Sequence, residues 1–187
     1  MTLSGVNTYE GSTVISGGTL AISHASGLGS AAGGTTVSNG AALDLVGVDV
    51  VGESLSLAGG TFKDATSSWS GSILLSASSF IEVGSGDTLT ISGVIADGGN
   101  GYGITKLGAG TVVLSADNTY SGGSTISAGL AQLGHARGLG TGAVSVASGS
   151  AVDVAGFNAA NTWTLAGTGV GSSGALYNLS LIHISEP

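Results

Sequence analysis

Residues Asn7 to Gly29 read NTYEGSTVISGGTLAISHASGLG, and 111 positions later Asn118 to Gly140 read NTYSGGSTISAGLAQLGHARGLG. The likeness resumes, after a two-residue gap, at Gly40-AALDLVG and Gly149-SAVDVAG. A long repeat rich in Gly, Ser and Thr, with short apolar stretches between turns, marks a solenoid. Each coil of a solenoid touches only its neighbours. The two long repeats cover about residues 3–47 and 114–156 of a fold unit spanning residues 1–179.

A smaller unit recurs inside them: Gly, one or two small or polar residues, then apolar-x-apolar. It is seen at Gly18-TLAI, Gly40-AALDL, Gly86-DTLTI, Gly110-TVVL, Gly129-LAQL, Gly142-AVSV and Gly149-SAVDV. Alternation of period two puts Leu20/Ile22, Leu43/Leu45, Leu89/Ile91, Val112/Leu114, Val144/Val146 and Val152/Val154 in pairs on one face. Glycines and β-branched residues recur too often for helix. Unit starts at Gly18, Gly40 and Gly60, and again at Gly110, Gly129 and Gly149, lie about 20 residues apart, which fits one coil of a parallel β-helix. The expected fold is all-β, a solenoid of roughly eight coils and of order 40 Å long at about 4.8 Å per rung.

Composition narrows the function classes. The chain has 187 residues, 36 of them Gly, yet 42% are hydrophobic, so a buried core is expected rather than disorder. The net charge is −8, and the three cations Lys63, Lys106 and Arg137 are scattered, which excludes nucleic acid as a partner. The acids are dispersed and read as solubilising. No cysteine is present, so there is no disulfide framework and no thiolate metal site. There is no 18-residue apolar run and no signal-peptide pattern at the N-terminus, and a repeat already running at Leu3 reads as an internal piece of a longer chain.

The stretch Ile104-TKLGAGTVVLSADNTYSGGSTISAGLAQLG resembles the passenger-associated repeat of bacterial autotransporters. Lys106, Gly108, Gly110, Leu114, Asn118, Thr119, Tyr120, Gly122, Ile126 and Gly129 fall on its pattern, and Leu3-SGVNTYEGSTVISGGTLAI matches its second half. Trp69-SGSILL and Gly86-DTLTISGVI look like the segment that precedes it. The resemblance implies a right-handed parallel β-helix, exported through a C-terminal β-barrel translocator of the same full-length chain and displayed on a Gram-negative cell surface. Leu130-Ala131 stands where the family has Thr-Leu, so a local shift of the apolar register is expected there. Low charge and absent cysteine suit a chain that crosses a membrane unfolded.

The sequence nominates no catalytic, cofactor-binding or metal-binding residue. Gly27-LGSAA and Gly138-LGTGA match a dinucleotide fingerprint but occupy one repeat position and open no helix. Gly98-GNGYG starts like a calcium nonapeptide but has Gly103 where Asp is needed, and Asp97 alone is too few ligands. His24 and His135 are repeat equivalents and read as turn residues. Asn7 and Asn118 read as turn residues, left-handed or stacked between coils. Tyr9 and Tyr120 read as corner packing. Asp44 and Asp153 correspond and are both expected to face solvent, too far apart to act as a glycosidase pair.

Among the aromatics, Phe62, Trp69 and Phe80 are expected inside the coil. The favoured reading is a non-catalytic stalk that displays an adhesin or effector. Its rivals are coils that themselves bind host matrix, glycans or another copy, and a polysaccharide-active enzyme. Exposure of Trp69 and Trp163 separates the first two. Residues 180–187, SLIHISEP, break the pattern, hold the one proline and His183, and resemble a translated sequencing adapter, so they are expected to be non-native.

Overall fold

The computed structural model describes residues 1–178. The expectation for residues 180–187 lies outside the described residues. The chain winds as a right-handed parallel β-helix with three faces, and every strand pairing within them is parallel. The first face has nine strands, Thr2–Leu3, Gly18–Ile22, Ala41–Val46, Thr61–Ala65, Ser79–Val83, Ile104–Leu107, Ser124–Ile126, Val144–Val146 and Trp163–Leu165. The second has seven: Asp49–Val50, Ser67–Trp69, Thr88–Ile91, Thr111–Leu114, Gly129–Leu133, Ser150–Asp153 and Leu176–Tyr177. The third has five: Thr13–Ile15, Thr35–Ser38, Leu55–Ala58, Ile73–Ala77 and Ile95–Ala96. Nine rungs against the eight expected is a small difference, and eight intervals of about 4.8 Å give a rod of about 38 Å.

On the first two faces parallel pairing without register slip stacks like on like; on the third the register shifts once, between Leu75 and Ala77. On the first face the inward column runs Leu20, Leu43, Phe62, Ile81, Lys106, Ile126, Val146 and Leu165. On the second it runs Val50, Trp69, Ile91, Leu114 and Leu133. Apart from the buried Lys106 and the exposed Leu165 of the last rung, these columns close into one apolar core along the axis. All of the aliphatic pairs named from alternation are buried except Val154, which is half-buried. Phe62 and Trp69 meet inside it edge to face, with ring centroids 5.3 Å apart. The register also holds at Leu130-Ala131: Ala131 pairs with Val112 and Val152 and stays inside, so the expected shift does not occur. Alanine is simply a smaller residue on the same inward parity.

The glycines act at corners. Gly93 and Gly71 mark places where successive coils touch backbone to backbone. A Cβ on Gly93 would stand 1.8 Å from the Gly71 carbonyl oxygen, and one on Gly71 would stand 1.7 Å from that of Glu53.

The two long repeats do not sit on the same side of the helix. Thr13–Ile15 lies on the third face, but its equivalent Ser124–Ile126 lies on the first; Gly18–Ile22 lies on the first, but Gly129–Leu133 lies on the second. The second repeat is therefore turned by one face, a third of a turn. Residues 23–34 take the place of a second-face strand, and residues 134–142 take the place of a third-face strand.

Candidate functional site

Alternation that buries Leu43, Phe62 and Ile81 on the first face must turn their neighbours outward. The outward column beside them is Thr19, Ala42, Thr61, Phe80, Thr105, Thr125, Ser145 and Thr164. Phe80 breaks a row of small side chains, all but Ala42 hydroxyl-bearing, and is 38% exposed. The expectation that Phe80 packs inside is therefore corrected: Ser79, Ile81 and Val83 hold the inward positions of its strand. Phe62 and Trp69 are inside as expected, and Trp163 is half-buried against the core.

The next outward column stacks Asp44, Lys63 and Glu82 on successive rungs. Lys63 Nζ reaches Glu82 Oε1 at 3.3 Å. Partial burial raises the Asp44 pKa; Lys63 opposes that and the Glu82 charge adds to it. The ladder thus presents an aromatic ring flanked by Thr61 and Thr105, beside an acid–base–acid row. It offers stacking and hydrogen bonding to a ligand. Proton transfer is poorly served, because Lys63 sits between the two carboxylates and holds one of them in an ion pair. Such an exposed pair contributes about 0–1 kcal/mol.

Four further acids are not the surface solutes that composition suggested. Glu53, Asp64, Asp97 and Asp153 are buried. Glu53 accepts from the Thr35 hydroxyl at 2.8 Å, and burial raises its pKa against that bond. Asp64, inward near the end of the strand Thr61–Ala65, has its pKa raised by burial, with Ser67 opposing. Asp153 corrects the expectation of a solvent-facing carboxylate. It has outward parity, yet Gln132 Nε2 donates to it at 3.0 Å, the Ala155 N–H donates at 2.9 Å, and Tyr177 pairs with it on the following rung. Asp44 and Asp153 stand on different faces.

Asp97 explains the glycine run that follows it. Its carboxylate accepts from the N–H groups of Gly99, Gly101 and Tyr102 within one loop, and from Ser121 N and Oγ on the next coil. Burial opposes ionisation, but these donors win and pull its pKa down to about 2. N–H donors thus occupy the carboxylate where a calcium loop would put a cation. No group of three or more His, Cys, Asp or Glu side chains able to hold a metal occurs among the described residues.

The motif residues prove to be fasteners between coils. Lys106 is buried in the inward column, and its Nζ donates to the carbonyls of Leu107 at 2.7 Å, Gly108 at 2.8 Å and Ala128 at 3.3 Å. Burial pushes its pKa down to about 8, with Glu82 opposing. Asn118 bridges three coils: its Oδ1 accepts from Ile95 N at 2.8 Å and its Nδ2 donates to Gly138 O at 2.6 Å. Neither Asn7 nor Asn118 has positive φ, so of the two turn roles the stacked one holds. Tyr120 is fully buried and shares a 2.7 Å hydrogen bond with Ser124; Tyr9 makes the same bond with Thr13 but is 39% exposed.

His24 and His135 each accept, at Nδ1, the N–H two residues on, from Ser26 and Arg137. That is the shared turn role read from the repeat. Their glycine runs form turns as well: Gly27 N donates to His24 O and Gly138 N to His135 O, while Leu28 and Leu139 are buried. Arg137 also pairs with Asp117, whose pKa it lowers.

Residues 1–22 and 104–130 match the family model of the passenger-associated-transport-repeat. The chain is 39% identical over 130 residues, 67% of its own length, to the adhesin BmaC autotransporter of Brucella suis biovar 1 (strain 1330). The chain spans 3% of the length of that curated relative. No solved structure matches the chain.

Proposed function

We propose a stalk role for this chain, which belongs to the autotransporter passengers and carries their transport repeats. In this reading it is a non-catalytic stretch of β-helix that projects an adhesin or effector from a Gram-negative cell surface. A C-terminal barrel of the same full-length chain exports it. The observation that supports it is where the large aromatics go. Trp69, Phe62 and Tyr120 are spent on the interior, and Trp163 leans on it. Side chains that fill a core hold coils together and are lost to a receptor.

Stacking also suits export. Each coil that folds outside the membrane is a template for the next, because its edge presents a row of unpaired N–H and C=O groups. Folding of successive coils would then oppose backsliding of the chain.

A second reading has one observation in its favour. Phe80 lies exposed beside Asp44, Lys63 and Glu82, and the relative BmaC is itself described as an adhesin. Direct adhesion by these coils would use that face. The test is made in the full-length protein displayed on cells. A version lacking whole coils of this segment, and a version with Phe80→Ala and Glu82→Gln, are compared for attachment. The stalk reading expects the double variant to attach as the parent does. Loss of attachment in that variant, at normal surface level, would assign binding to the face itself.

A further inference from the structure

We propose that Asn39-Gly40 is a self-modification site, at which the chain converts an asparagine to isoaspartate and loosens one corner of the helix. The chemistry needs water and no enzyme. The Gly40 main-chain nitrogen attacks the Asn39 side-chain carbonyl carbon. A new N–C bond closes a cyclic imide, the bond from that carbon to Nδ2 breaks, and ammonia leaves with the Gly40 proton. Water then opens the ring at either carbonyl. One opening gives aspartate. The other gives isoaspartate, in which the main chain runs on through the former side chain.

Glycine after asparagine favours this closure, because no Cβ stands over the attacking nitrogen. The chain has two such pairs, Asn39-Gly40 and Asn100-Gly101, and both asparagines are exposed. Exposure therefore does not separate them, but hydrogen bonding does. At the second pair both reacting groups are held. Gly101 N donates to Asp97 Oδ2 at 2.9 Å, and Asn100 Nδ2 donates to the Asp97 carbonyl at 2.8 Å. Attack there breaks both bonds. It also builds negative charge on the Gly101 nitrogen against the Asp97 carboxylate. At the first pair, no hydrogen bond among the described residues engages the Gly40 N–H or the Asn39 side chain.

Asn39 and Gly40 form the turn between the third-face strand Thr35–Ser38 and the first-face strand Ala41–Val46. Gly40 has φ +75°, and nothing stands near the place its Cβ would take. Asn39 lies against Gly59 of the next coil: a Cβ on Gly59 would stand 3.2 Å from the Asn39 Cβ. Isoaspartate adds one carbon to the main chain at this turn. The flanking strands are pinned in register, Ser38 against Ala58 and Ala41 against Gly18, so the turn must absorb it. The aspartate product keeps the main chain and adds only a charge.

The test ages the chain at mildly alkaline pH, folded in buffer and unfolded in concentrated urea. Peptide mapping by mass spectrometry follows both asparagines, and an isoaspartyl methyltransferase serves as the reagent that scores isoaspartate. In urea the two pairs are expected to react at similar rates. In the folded chain Asn39 is expected to react at least about tenfold faster than Asn100, since a hydrogen bond to a charged group is strong enough to set that ratio. Asp97→Asn should raise the Asn100 rate in the folded chain and leave Asn39 unchanged; if that variant does not fold, the folded and unfolded parent decide alone. The isoaspartyl fraction, separated by chromatography, is expected to unfold at lower urea than Asn39→Asp, which should match the parent. Equal rates at the two asparagines in the folded chain, or arrest of both, overturn the proposal. So does a folded Asp97→Asn chain in which Asn100 stays slow, or an isoaspartyl fraction as stable as Asn39→Asp.

Discussion

Replacing Asn118 by alanine tests whether the coils are fastened as described. Asn118 is 1% exposed and serves two buried main-chain groups on different coils, the Ile95 N–H and the Gly138 carbonyl. Alanine leaves both without a partner. A buried group stranded this way costs about 1–3 kcal/mol, so the pair should cost about 2–6 kcal/mol. At about 2–4 °C per kcal/mol for a domain of this size, that lowers Tm by roughly 4–24 °C. Asn7 is the internal control. It makes a single bond, Nδ2 to Gly27 O at 2.8 Å, at the open end, so Asn7→Ala should cost about 1 kcal/mol. Asn118→Asp keeps the acceptor for Ile95 but turns a carboxylate oxygen toward the Gly138 carbonyl, and should cost at least as much as alanine. Urea unfolding followed by tryptophan fluorescence measures all three, because Trp69 lies in the core. Equal small losses at Asn7 and Asn118 would refute the bridge.

Four further outcomes are expected. Gly93→Ala should prevent folding or cost more than about 3 kcal/mol in urea unfolding, since the added carbon meets backbone, whereas Gly86→Ala, at φ +86° with open space, should cost about 1 kcal/mol. Phe62→Ala should cost about 3–5 kcal/mol and Phe80→Ala no more than about 0.5 kcal/mol, which thermal melts will show. Asp97 ionises more readily in the folded chain than in the unfolded one, so its stabilisation is present above pH 3.8 and drains away as pH falls toward 2; Asp97→Asn should flatten that part of the stability curve measured by chemical denaturation. Lys106 has the opposite sign: the unfolded chain holds its proton up to 10.5 and the folded chain to about 8, so stability rises with pH across that window, and Lys106→Met should abolish the slope.

Much of the fold was legible because a β-helix is written in local terms. Parity of Leu43/Leu45 or Leu89/Ile91 fixes which side chains point in, and glycine spacing fixes the coil length. Phe80 was legible in principle too: Ile81 and Val83 claim the inside, which sends Phe80 and Glu82 out together. What outranked parity was aromatic burial preference, a statistical tendency that says nothing of which neighbour wins. Asp153 failed for another reason. Its parity is outward, but Gln132 one rung before and the turn at Ala155 close over it, and contacts between coils cannot be read from one strand.

The turn of the second repeat by one face was hidden by uneven coils. Along the first face successive rungs lie 19 to 25 residues apart, so an offset of 111 residues has no obvious phase. The candidate site was illegible as a site. Asp44, Lys63 and Glu82 are nineteen residues apart at each step, and only parallel registration makes them neighbours. The buried acids gave one usable signal: Asp97 precedes a run of glycines whose free N–H groups can wrap a carboxylate.

The account depends above all on rungs in parallel register, and spin-label distances along one outward column test it directly. Thr19, Thr125 and Thr164 share that column, with Thr125 five rungs and Thr164 seven rungs from Thr19. At about 4.8 Å per rung the pair 19/125 should lie about 24 Å apart and the pair 19/164 about 34 Å apart, each as a narrow distribution. Distances that fail to grow by about 10 Å between the two pairs, or broad distributions centred elsewhere, would contradict it.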